Sequence, residues 1–200
     1  VCIDYKPRFV VDNISKFDRQ TYSIIECLLP DGSEVEFPDY TYFMQDSNNP
    51  IDYIENTVFR NMKFYGDFYM NNLKKINDYE FYNSVFQGFF RAQNVESVGH
   101  SAFTNSKFRG NLNLPKCTII RDRAFFNSKF TGDFNCQNLT SVGGGAFRNS
   151  LFSGSLSLPL CEQIGGEAFR NSNFSGSLNL PACNFIGQKA FGNSNFSGSL

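Results

Sequence analysis

Residues 156–177 read LSLPLCEQIGGEAFRNSNFSGS, and residues 178–199 read LNLPACNFIGQKAFGNSNFSGS. The two segments align without a gap, Leu156 on Leu178, Ile164 on Ile186, Ala168 on Ala190 and Phe169 on Phe191. Carried toward the N-terminus at the same shift of 22 residues, the Phe169 column runs through Phe147, Phe125, Phe103, Phe81 and Phe59. An Asn column from Asn61 to Asn193, a second Phe column from Phe64 to Phe196 and a Gly column from Gly66 to Gly198 keep the same step. The two Phe columns hold 14 of the 24 Phe in a chain with 9 Tyr and no Trp.

A fixed period of this length, with a few strictly apolar positions, means that each repeat is one coil of a solenoid and buries its apolar side only by stacking on its neighbours. Leu178-Asn179-Leu180-Pro181 alternates with the two-residue period of a strand, Leu inward and Asn outward, and Pro181 ends it. The reading is a leucine-rich-repeat-like, right-handed coil that gives one short strand per turn to a parallel β-sheet on one face. Seven coils at about 4.8 Å per rung extend about 35 Å. On the other face, the spacing of Ile186-Gly187 and Ala190-Phe191 suits a short helical, 3-10 or irregular return. At the bends, the Asn column is read as bonding backbone groups of its own and the next coil, and the Gly column as a positive φ or a close approach between coils.

Seven repeats occupy residues 47–200, the last incomplete, and residues 1–46 lack the period. Two β-prone stretches, residues 22–29 and 33–37, flank Pro30-Asp31-Gly32 and suggest a hairpin. Such a segment is a cap on the first coil, the tail of another domain, or an arm reaching a neighbouring subunit. A start at Val1 and a stop within a repeat at Leu200 suggest a processed or excerpted chain.

The pattern Leu-x-Leu-Pro-x-Cys-x-x-Ile-Gly-x-x-Ala-Phe-x-Asn-Ser-x-Phe-x-Gly-x resembles the BspA-like, or Treponema-type, leucine-rich repeats over about three quarters of the chain. Its signature pieces are Leu156-x-Leu158-Pro159 with Ile164-Gly165 and Ala168-Phe169. Where the family pattern carries a Gly or Asn and a Cys after Ala-Phe, this chain has Asn171-Ser172. The resemblance implies a surface or secreted protein of a bacterium or protist, engaged in adhesion to host or matrix proteins.

Function classes that need concentrated chemistry find little support. Net charge is −1 with Lys and Arg scattered, so nucleic acid is not an expected partner. No apolar run approaches the ~18 residues of a membrane span, and no signal peptide is visible. One histidine, His100, and no Cys-x-x-Cys argue against a metal site, and no cofactor is expected. Gly143-Gly144-Gly145 lacks the following Lys-Ser/Thr of a phosphate loop and reads as a variant of the Ile-Gly corner. Asp67, Asp122, Asp133 and Glu162 are spread over separate coils, so no nucleophile, base and orienting group converge and an enzyme is not expected. Cys117, Cys161 and Cys183 share an inward column and read as free thiols, while Cys2 and Cys27 are better candidates for a bridge. Asn13, Asn138, Asn173 and Asn195 begin Asn-x-Ser/Thr triplets, in a chain so rich in Asn and Ser that chance supplies most of them.

The outward positions change along the array. Toward the C-terminus they are Ser155, Ser157, Ser177 and Asn179, whereas the first coils carry Tyr65, Tyr69, Phe89 and Arg91, with Arg109 next door. Aromatic residues and Arg are the usual anchors of protein interfaces, so these five are the candidate ligand-binding residues. A capping coil that packs on the N-terminal segment would diverge in the same way. The function read from the sequence is a non-catalytic protein-binding and adhesion module at the cell surface or outside the cell. The alternative is a structural subunit whose copies stack into a sheath, fibre or particle.

Overall fold

The computed structural model describes residues 74–199 together with three short strands before them, Val35–Phe37, Met62–Phe64 and Phe68–Tyr69. It is a parallel β-solenoid of about six turns, and no helix occurs among the described residues. Each complete coil contributes three strands to three separate parallel sheets, as in Lys129–Phe130, Phe134–Asn135 and Ser141–Val142. The expectation of one strand per coil is thereby corrected. Leu178–Asn179 is a strand as read, but Ile120 and Phe130, with their equivalents, end two further strands.

Register follows the period. Lys129 pairs with Lys107, Phe134 with Leu112 and Ser141 with Ile119, each one repeat apart. The first sheet gains an extra rung from the N-terminal segment, where Val35–Phe37 lies parallel to Met62–Phe64 at a longer offset. The other arm of the expected hairpin, residues 22–29, lies outside the described residues.

The return segment departs from a helix for a backbone reason. Ser101 and Asn105 hold φ of 53° and 63°, and the same two columns are left-handed at Arg123 and Asn127 and at Glu167 and Asn171. Two left-handed residues per coil break any helical run. The N–H groups then alternate in destination: those of Ser101, Phe103 and Asn105 reach Asp122, Ala124 and Phe126 of the next coil, while those of Ala102, Thr104 and Ser106 close turns on Gly99, Ser101 and Phe103. Every second donor becomes a rung, so the coils are bonded to one another even where no strand is formed.

The core is a set of aligned columns. Phe81, Phe103, Phe125, Phe147, Phe169 and Phe191 stack with centroids 4.9 to 5.1 Å apart. A second stack from Phe86 to Phe196 repeats at 4.7 to 5.2 Å. The two stacks meet at steep angles, as between Phe103 and Phe108 at 65°, the edge-on geometry that aromatic quadrupoles favour. Between them a buried Ser column bridges coils: Ser128 Oγ accepts the Ser106 N–H at 3.2 Å and donates to the Phe103 carbonyl at 2.7 Å. The Gly column is explained by close approach, since a Cβ on Gly132 would lie 2.5 Å from the Gly110 carbonyl. The Asn column works differently from its reading. Its left-handed residues bond side chain to side chain, Asn127 Nδ2 donating to Asn105 Oδ1 at 2.8 Å and Asn171 Nδ2 to Asn149 Oδ1 at 3.1 Å.

Cys117, Cys136 and Cys161 are buried and Cys183 half-buried, all as free thiols. Burial pushes the Cys161 thiol up to about 11. Cys2 and Cys27 lie outside the described residues.

Candidate functional site

Three parallel sheets leave three outward surfaces and the corners between them, and the candidate residues gather at the corner between the first and second sheets. The column at that corner holds Asp67, Phe89, Asn111, Asp133, Ser155, Ser177 and Ser199. Two of the members after Phe89 bond the next coil's backbone: Asn111 Oδ1 accepts the Asp133 N–H at 3.0 Å, and Asp133 Oδ1 accepts the Ser155 N–H at 2.8 Å. A phenyl ring cannot make that bond. Phe89 instead keeps 38% of its surface exposed, and the Arg91 guanidinium lies over its ring at 5.2 Å from the centroid. Such a pair fixes the cation on the aromatic face, and Arg91 itself is half-buried.

Arg91 sits on the second sheet, in register with Tyr69 on one side and Asn113 on the other. Arg109 lies across the corner, just past the strand Lys107–Phe108 of the first sheet, and its guanidinium donates to Gln87 Oε1 at 2.8 Å. Gln87 belongs to the coil of Phe89, so this bond ties Arg109 to that coil. The structure therefore brings Phe89 and Arg91 into contact, attaches Arg109 to the same coil and sets Tyr69 one rung away in register. Tyr65 lies outside the described residues. Gln87 was not singled out from the sequence, although its place one repeat before Arg109 is the signal that finds it.

The scattered carboxylates have structural work. Asp78 Oδ1 accepts the His100 N–H at 2.8 Å, and Asp122 Oδ1 accepts the Gly144 N–H at 2.7 Å. His100 itself meets Tyr79 edge-on with centroids 5.5 Å apart. Glu167 holds two cations, Arg148 at 2.8 Å and Arg170 at 2.6 Å. Glu80 is the exception that sequence reading passed over. It stands fully buried in a column that every later coil fills with Ala, at Ala102, Ala124, Ala146, Ala168 and Ala190. Its Oε2 accepts the Asn77 N–H at 2.6 Å, its Oε1 has no hydrogen-bond partner among the described residues, and burial raises its pKa to about 8.

A family model described as BspA type leucine-rich repeat region matches residues 43–152 and 74–197, in six copies. No curated protein and no solved structure matches the chain.

Proposed function

Because the chain belongs to the BspA-type leucine-rich repeat family, whose repeat regions are generally non-catalytic scaffolds, we propose that it is a protein-binding and adhesion module of a cell-surface or secreted protein. The partner is an extracellular host or matrix protein, and it docks on the corner made by Phe89, Arg91 and Arg109, with Tyr65 and Tyr69 of the coil before. The observation that carries this reading is the Phe89 and Arg91 pair, an aromatic and a cation in two neighbouring columns whose later members are small and polar, Asn111 and Asp133 bonding the next coil. Anchors of this kind dominate binding energy where a partner buries them. Residues 1–46 serve as the cap of the array, a role supported by the rung that Val35–Phe37 adds to the first sheet.

The test is direct binding to an immobilised panel of extracellular matrix proteins, comparing the native chain with Phe89→Ser/Arg91→Ser, which copies the residues that later coils carry at these positions. Loss of about tenfold or more in affinity is expected for the double variant, the weight of one hot-spot contact. Unchanged affinity, or no affinity of the native chain for any panel member, removes the reading. Light scattering across concentration on the same samples addresses stacked copies: a binding module stays monomeric, and a stacking subunit grows into larger species.

A further inference from the structure

The first sheet carries a second surface, which meets the corner at Arg109. From the Lys107 rung onward its outward positions form two rows along the coil axis, Lys107, Lys129, Leu151, Asn173 and Asn195 in one, and Arg109, Thr131, Ser153, Ser175 and Ser197 in the other. Neither row contains a carboxylate. Lys107 and Lys129 are exposed and directly opposite on adjacent strands, with Arg109 in the neighbouring row. Like charges held in register on a sheet repel one another, and neither lysine has an ion-pair partner among the described residues. The fold thus keeps three cations together at one end of these rows, with no carboxylate between them and the Asn195 rung.

Beyond the cations the same two rows sink into a shallow trough of about 460 Å³, lined by Leu151, Ser153, Asn173, Ser175, Asn195 and Ser197 with the backbone of the strands beneath. Its polar groups have a fixed polarity. Thr131, Ser175 and Ser197 spend their hydroxyl protons on the carbonyls of Phe108, Phe152 and Phe174, at 3.0, 3.2 and 3.3 Å, which leaves oxygen lone pairs turned outward to accept. Asn195 Nδ2 donates to Asn173 Oδ1 at 2.9 Å, so the amide row is held as a ladder with further donor and acceptor capacity.

From this arrangement we propose that the first sheet binds an acidic polysaccharide, laid along the coil axis with its sulfate or carboxylate groups on Lys107, Lys129 and Arg109 and its hydroxyls on the Ser and Asn rows of the trough. A chain of anions and hydroxyls matches cations at one end and oriented acceptors along the rest, over about 19 Å from the Lys107 rung to the Asn195 rung. Nucleic acid fits less well, because neither outward row offers an aromatic platform on which bases stack. An anionic membrane needs cations spread over the contact area, and here they occupy one end. An extended peptide gains its main-chain hydrogen bonds at a sheet edge, whereas this is a sheet face. The proposal shares only Arg109 with the protein-binding corner and stands apart from it.

The experiment measures binding of the native chain at low salt to heparin and to polygalacturonate, with neutral dextran, duplex DNA and phosphatidylserine vesicles as comparators. Lys107→Asn/Lys129→Asn replaces the lysines with the residue the same row carries at Asn173, and Ser175→Asp puts a negative charge in the trough. One of the two acidic polysaccharides is expected to bind and dextran not. Affinity is expected to fall about tenfold or more in each variant, the weight of at least one charge-assisted contact, with melting unchanged. Phe89→Ser/Arg91→Ser is expected to bind the polysaccharide as the native chain does, which separates this surface from the corner. Failure of both acidic polysaccharides to bind, tighter binding to DNA or vesicles, or polysaccharide binding indifferent to both the lysine and the Ser175 changes overturns the proposal.

Discussion

The hydroxyl of Ser128 makes two hydrogen bonds where an alanine would make none, accepting from Ser106 in the coil before and donating to the Phe103 carbonyl. The Ser106 N–H also closes a turn on the Phe103 carbonyl at 3.0 Å, so Ser128→Ala leaves these two groups bonded to each other and is expected to cost about 2 kcal/mol, the weight of the two lost bonds, read from the denaturant midpoint. Glu80 supplies the opposite case, a polar group whose removal helps. Its carboxyl stays protonated in the fold up to about pH 8, whereas an exposed carboxyl ionises near 4.5. The stability that goes with the protonated form is fully present below pH 4.5 and is lost as pH rises through 8, because the unfolded chain releases the proton first. Glu80→Ala, the residue of the later coils, is therefore expected to gain on the native chain steadily between those limits. Denaturation midpoints of the two proteins at acid, neutral and mildly alkaline pH check this, and parallel curves would contradict it.

At the scale of the coil, stability is a sum of nearly identical interfaces, each with three parallel strand pairings and a set of alternating rungs. Removal of residues 122–143 excises one complete coil and brings Arg121 onto Gly144 in unchanged register. The shortened chain is expected to keep β-sheet circular dichroism and a cooperative melt. Removal of residues 122–132 alone puts inward columns outward and is expected to abolish both. The period, the inward columns and the tight Gly column were all legible in the sequence. Two of the three strands were not, because strands of two residues, such as Lys129–Phe130 and Ser141–Val142, are too short to display an alternation. The left-handed corner was equally silent, since Tyr79, Ser101, Arg123, Glu167 and Lys189 take φ of 53° to 59° without being glycine. Only Gly145, at 59°, marks that column by its residue type, and it explains the third glycine of Gly143-Gly144-Gly145.

Across the whole molecule the interior repeats and the exterior does not, and the departures from repetition are where function is sought. Phe89, Arg91 and Arg109 were legible as a group because each breaks an outward column, and the fold draws them to one corner. The cationic pair on the first sheet was not, since Lys107 and Lys129 look scattered until the register sets them side by side. The central claim is that the Phe89 and Arg91 pair serves a partner and not the coil stack. The melting temperature of Phe89→Ser/Arg91→Ser tests it most directly. A partly exposed cation–π pair is worth about 1 kcal/mol, so a fall of no more than about 4 °C is expected. A fall beyond about 8 °C, the size of a lost packing contact, would mean that the pair holds the array together and would contradict the claim.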